Sequence, residues 1–234
     1  MNNIAENLKR INENIARAAQ KSGRRAEDIT LIAVTKTITP QALTDMLETL
    51  LAAGVCNLGE NRVQELTQKR PLFDHRVSWH MIGHLQRNKV KNVVGHVKMI
   101  HSVDSPRLAE EISRIAMQKQ VVADVLIEIN IAGETSKHGS APDQAAALTR
   151  QIAALPGIAP RGLMTVAPFV ANPEENRPHF RKMAELLETV KTAAGEQGAN
   201  MPFLSMGMTN DYEVAIEEGA NMVRVGTAIF GERL

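Results

Sequence analysis

Thr30-Leu31-Ile32-Ala33-Val34-Thr35-Lys36 is an apolar, β-branched run that ends in a primary amine, and its reading decides the fold. A segment of this composition forms a buried strand, and Pro40 with the helical pattern behind it makes that strand the opening of a β/α unit. Such folds put their chemistry at the carboxyl ends of the strands, which is where Lys36 stands. Ile32 and Val34 share parity with Lys36, so the amine should point over the mouth of a barrel rather than into the helix layer. An amine placed there can form a Schiff base with an aldehyde cofactor when burial and neighbouring cations lower its pKa. The plain alternative is a lysine whose stem packs on the strand end while its head stays in water.

Working outward, strand candidates recur at Val55 to Gly59, Val77 to Gly83, Met99 to Val103, Asp124 to Ile131, Ile158 to Val166, Phe203 to Gly207 and Met222 to Gly226, which with the first makes eight. Helical patterns lie between them at Pro40 to Ala53, Pro106 to Lys119, Pro142 to Ala154 and Glu174 to Ala194. Ahead of the first strand, Ile4, Leu8, Ile11, Ile15 and Ala18 mark an amphipathic helix that stops near Ser22-Gly23 and either plugs or flanks the fold. The expectation is an α/β protein, a single (β/α)8 TIM-type barrel domain over residues 1–234 with an extra N-terminal helix. A doubly wound open sheet would bring a glycine fingerprint after an early strand, and none is present.

With 44% hydrophobic and 23% charged residues, the 234-residue chain has an ordinary globular balance and length enough for one sizeable core. A formal charge of +1 leaves no basic surplus for phosphate backbones, so nucleic acid is not an expected partner. Cys56 is the only cysteine, which precludes an intrachain disulfide. No signal-peptide core and no run of membrane-spanning length are present, and the expected location is the cytoplasm, away from membranes.

Alternation also orients polar side chains. Val125, Ile127, Ile129 and Ile131 share one parity and Glu128 and Asn130 the other, so Glu128 should face the barrel interior and need a partner, a cation above all. In Met222-Val223-Arg224-Val225-Gly226-Thr227, outward valines aim Arg224 inward, and Gly226-Thr227 then opens a short helix whose amides suit a phosphate. Barrels often hold a phosphate between the loops after strands seven and eight, and strand seven ends Ser205-Met206-Gly207. A reactive lysine on strand one and an anion cradle on strands seven and eight describe the two ends of pyridoxal 5′-phosphate. Arg224 would stand near the pyridine nitrogen and keep it unprotonated, or it pairs with an interior carboxylate such as Glu128.

His80 and His84 have a metal-like spacing, but that spacing needs a helix and Gly83 reads as a strand end, so no metal is expected and His80 lines the mouth or is a hydrogen-bonded core histidine. Asn61 either touches a bound ring or caps the next helix. Lys137 is a second amine near the mouth, either an acceptor when cofactor is handed on or, the favoured reading, a solvated loop lysine.

Leu31 to Thr37, Asn57-Leu58-Gly59-Glu60-Asn61, Trp79 to Lys89, Arg161-Gly162-Leu163-Met164, Leu204-Ser205-Met206-Gly207-Met208 and Val223-Arg224-Val225-Gly226-Thr227 together resemble the pyridoxal phosphate homeostasis protein family, in order and over nearly the whole chain. The segment between Lys36 and Gly59 is about a helical turn longer than the family pattern, and Thr209 stands where serine is usual. The resemblance implies a fold-type III barrel akin to the N-terminal domain of alanine racemase, with the Schiff base on Lys36. It further implies phosphate contacts from Ser205, Gly207, Gly226 and Thr227 and places Arg224 at the pyridine nitrogen. Asn61, His80, Met164 and Met206, which lie in the matching motifs, are the other cofactor-binding candidates. The implied function is a carrier or buffer of pyridoxal 5′-phosphate that supplies apo-enzymes, without strong turnover. The alternative is an amino-acid racemase, with Lys36 as one base and Tyr212 or His80 as the other.

Overall fold

The computed structural model describes residues 3–134, 137–195 and 200–231. Eight parallel strands close into a barrel in sequence order: β1 (Thr30–Val34), β2 (Asn57–Glu60), β3 (Ser78–Met81), β4 (Met99–Val103), β5 (Ala123–Glu128), β6 (Ile158–Met164), β7 (Phe203–Met208) and β8 (Met222–Val225). Ile32 pairs with Asn57 on one side and with Arg224 on the other, which closes the ring through β8. The sequence alternation is realised in two cores. Ile32, Met99, Leu126, Met164 and Met222 fill the barrel, while Leu31, Ala33, Val125, Ile127, Val223 and Val225 pack outward against the helices.

The helices are α1 (Ile4–Lys21), α2 (Pro40–Ala52), α3 (Val63–Lys69), α4 (Pro106–Lys119), α5 (Ala145–Ala153), α6 (Arg177–Ala194), α7 (Tyr212–Glu217) and α8 (Thr227–Phe230). Two starts are fixed locally: Thr39 caps α2 by accepting from Ala42 N, with Pro40 in the first turn, and Pro106 opens α4. The expected helix over Pro142 to Ala154 begins as a 3-10 turn at Pro142–Gln144, and that over Glu174 to Ala194 as one at Pro173–Asn176. Between β3 and β4 the connection is a 3-10 segment, Arg87–Asn92, rather than an α-helix. Of the two placements expected for the N-terminal helix, α1 takes the flanking one. It packs on α2, α7 and α8 through Leu8, Ile11, Ile15, Ala18 and Ala19, and Asn7 Nδ2 donates to the Ile229 carbonyl at 3.0 Å. Among the described residues no helix is long and apolar enough to cross a membrane.

Candidate functional site

At the carboxyl ends of the strands, the loops after β1, β6, β7 and β8 enclose a cleft of about 710 Å³. β1 stops at Val34, Thr35 turns outward and is buried, and Lys36 emerges exposed on the cleft wall beside Thr37. Arg224 forms the floor at 4% exposure, Gly226 and Thr227 line the wall next to β1, and Phe169 stands 91% exposed at the rim. One strand-end amine and one buried cation therefore share a cavity.

Arg224 is held from below. Nη1 donates to Ser205 Oγ at 2.5 Å and Nη2 to the Thr165 carbonyl at 2.8 Å. Beyond Ser205 the contacts continue to His101 Nδ1 at 3.1 Å, from His101 Nε2 to His80 Nδ1 at 2.9 Å, and from His80 Nε2 to Asn57 Oδ1 at 3.1 Å. The acceptor at Asn57 fixes the direction: each histidine carries its proton on Nε2, and the Ser205 hydroxyl donates to His101 while accepting from Arg224. Burial, with the nearby charge of Lys98, pulls the His80 imidazole down to about 3. His101 lies well below the ordinary imidazole range, from burial first and from His80 and Arg224 second. Both rings are neutral at neutral pH. Burial also lowers the Arg224 guanidinium to about 10, against the raising influence of Glu128 and Asp211, and it stays a cation.

Glu128 faces the interior, as its parity requires, but without the expected ion pair. The two side-chain bonds of Arg224 go to Ser205 and Thr165, and Glu128 Oε2 is buried with no hydrogen-bond partner among the described residues. Burial pushes its carboxyl up to about 7, the charge of Asp104 adding to this and Arg224 opposing it.

At the ends of β7 and β8, Thr209 Oγ1 accepts from Gly226 N and from Ala228 N, each at 3.4 Å. A hydroxyl oxygen thus occupies the point to which two amides at the start of α8 are directed, and these long contacts leave both donors free for a stronger acceptor. A Cβ at Gly226 would lie 3.3 Å from the Val34 carbonyl oxygen, a tight contact that marks the close approach of β8 to β1.

Other sequence candidates fall elsewhere. Ser205 is fully buried beneath Arg224, whose guanidinium claims its hydroxyl, so it supports the floor instead of facing the cradle. The Met206 side chain packs outward into the helix layer, and Met164 is wholly buried among the barrel-filling residues. Gly207 takes φ 89, and a Cβ would meet Ala215 Cβ at 2.5 Å, so its role is to let α7 approach β7. His80 is a hydrogen-bonded core histidine. Asn61 lines a separate depression with Arg62 and Lys89; Arg62 is the residue at the α3 cap, and Asn61 Oδ1 has no partner among the described residues. Tyr212 is turned away from the cleft, its hydroxyl accepting from Asn14 Nδ2 of α1 at 2.9 Å. Lys137 pairs with Glu134 at 2.8 Å. His80 and His84 do not converge. The group that could hold a metal among the described residues is His84, Asp104 and His138, but the two rings stack at 4.0 Å and 13°, so their lone pairs run side by side instead of meeting at one ion.

Sequence reasoning noted Thr209 only as a departure from the family pattern and did not single out His101. Thr209 lies in a loop without periodicity, whereas His101 shares parity with Met99 in β4 and was open to the alternation applied to Arg224.

The family model for the N-terminal domain of alanine racemase matches residues 7–234, which together with the closed parallel barrel defines a fold-type III, pyridoxal phosphate-type barrel. A pyridoxal phosphate homeostasis protein of Aquifex aeolicus (strain VF5) is 43% identical over 232 residues, covering 99% of this chain and 99% of the relative. The chain belongs to the pyridoxal phosphate homeostasis protein family. Among solved structures, an unknown protein from Bifidobacterium adolescentis superimposes with a TM-score of 0.88 at 36% identity, covering 97% of this chain and 94% of that one. PipY of Synechococcus elongatus PCC7942, with pyridoxal phosphate bound, gives a TM-score of 0.78 at 32% identity, covering 93% of this chain and 100% of that one.

Proposed function

We propose that this chain binds pyridoxal 5′-phosphate in the cleft at the ends of β1, β7 and β8 and serves cytoplasmic cofactor homeostasis, holding the aldehyde and releasing it to apo-enzymes. One observation carries the reading: Lys36, Arg224 and the Thr209–Gly226–Thr227 wall line a single cavity. The donor set suits the cofactor, with an amine for an aldehyde, a buried guanidinium for a ring nitrogen, and amides already directed at an oxygen for a phosphate. The PLP-bound PipY structure and the shared family support the same ligand.

When bound, the cofactor would supply an electrophilic aldehyde, and Lys36 is the residue whose amine would hold it. Arg224 would set a buried positive charge near the ring nitrogen and disfavour its protonation, which would weaken electron withdrawal from an attached amino acid. The Gly226 and Ala228 amides, Thr209 and Thr227 orient the phosphate.

Racemisation needs a second acid–base group across from the lysine. Tyr212 is committed to α1, His80 is enclosed and neutral, and Asp211 at the cleft edge accepts from Met208 N at 2.7 Å and from Asn176 Nδ2 at 2.8 Å. This favours a holder of cofactor over a racemase. Incubation with pyridoxal 5′-phosphate, borohydride reduction and peptide mapping should give an adduct on Lys36, and Lys36→Ala should lose it with an unchanged melting temperature. An adduct only on other lysines would overturn the assignment, and α-proton exchange of alanine in deuterated water at enzymatic rates would overturn the carrier role.

A further inference from the structure

Behind the Lys36 turn, on the helix side of β1 and β2, a second lysine is buried. Lys69, in the last turn of α3, is 2% exposed. Its ammonium donates to the Thr35 carbonyl at 2.7 Å, to Glu60 Oε1 at 2.6 Å and to Glu65 Oε2 at 3.3 Å. Glu60 Oε1 also accepts from the Thr35 hydroxyl at 2.6 Å, and Glu65 Oε2 accepts from Thr37 N at 2.9 Å. Both peptide groups that flank Lys36 are therefore tied to one ionic unit, while Lys36 itself is left free to project. The turn is strained as well as tethered, since Thr37 adopts φ 71, a conformation β-branched residues avoid.

Such an arrangement is expensive for stability alone. Burial pushes the Glu60 carboxyl up against the restraining contacts from Lys69 and Thr35, its Oε2 has no partner among the described residues, and an apolar group of the same size often serves a core as well. What apolar residues do not supply is directional contact with the Thr35 carbonyl and the Thr37 amide. We infer that Lys69, Glu60 and Glu65 form a positioning unit that holds the Lys36 amine over the cleft in the orientation its reaction with an aldehyde requires. The inference rests on the proposed role of Lys36 and adds residues that touch neither cofactor nor cleft floor.

The test uses Lys69→Met/Glu60→Gln, which removes both charges at nearly constant volume, and separately Glu65→Ala at a half-buried position. Two readouts are compared: the rate at which borohydride-trappable adduct forms on Lys36, and the affinity for pyridoxine 5′-phosphate, which carries ring and phosphate but an alcohol in place of the aldehyde. A displaced amine should slow trapping by about tenfold to a hundredfold, on the scale of a 1 Å misplacement, while pyridoxine 5′-phosphate affinity stays near its original value. Glu65→Ala should show the same split more weakly, and it carries the test alone if the double variant does not fold. Unchanged trapping rates, or equal losses in both readouts, would overturn the positioning role. Failure of the unsubstituted protein to form any Lys36 adduct is a separate result, which would sink the reading of Lys36 and this one with it.

Discussion

Arg224 shows how much one side chain is asked to do. Its guanidinium is a fork that reaches Ser205 Oγ and the Thr165 carbonyl together, and through Ser205 it anchors a line of two neutral histidines. Arg224→Gln keeps one donor arm and loses the charge. One buried acceptor is then left unsatisfied, and unfolding free energy should fall by about 1–3 kcal/mol in urea titrations. The Lys36 adduct should still form, but with an altered visible spectrum, because the cation under the ring is gone; an unaltered spectrum would move Arg224 away from the ring nitrogen. The inward aim of Arg224 was legible because a period of two leaves a strand residue only two faces. Loop and bulge positions gave no such handle. Register shifts between Ser205 and Met208, so alternation could not say that Ser205 serves the floor, that Gly207 faces α7, or that Thr209 meets the amides of α8.

Among the elements, α1 makes the case that a helix outside the β/α repeat still conditions the site. Its apolar stripe covers α7 and α8, and α8 carries Thr227 at the cleft wall. Leu8 is fully buried, and Leu8→Ala should cost about 2–5 kcal/mol, read as a lower urea midpoint with an unchanged m-value. A loss under about 0.5 kcal/mol, the size of an ordinary surface substitution, would show that α1 is loosely docked. All eight strands were visible in the sequence because each is a short apolar run between turn residues. Their ends were not: the run from Asp124 to Ile131 looks continuous, yet β5 spans Ala123–Glu128, since Ile129 leaves the ladder for a bridge to Ser140. α7 was not singled out and α3 and α8 were anticipated only at their starts, for segments of six, seven and four residues are too short to display a helical period.

For the molecule as a whole, the barrel interior makes stability depend on pH in two opposed ways. His80 and His101 are held neutral, so between about pH 6.5 and the much lower folded values the unfolded chain binds more protons than the native one, and stability falls as acid is added. Glu128 acts with the opposite sign. Its folded value near 7 lies above the ordinary carboxyl range, so the native state binds the extra proton, and its penalty, complete above pH 7, is relieved as pH falls towards 4.5. At about 1.4 kcal/mol per pKa unit, that penalty is about 3 kcal/mol at pH 8. Glu128→Gln keeps the volume and removes the ionisation. The variant should exceed the original protein in unfolding free energy by up to this amount at alkaline pH, the advantage should shrink towards nothing as pH falls to about 4, and the acid limb left to the two histidines should be steeper. Urea titrations across that range measure both curves, and parallel profiles for the two proteins would show that Glu128 does not titrate inside the barrel.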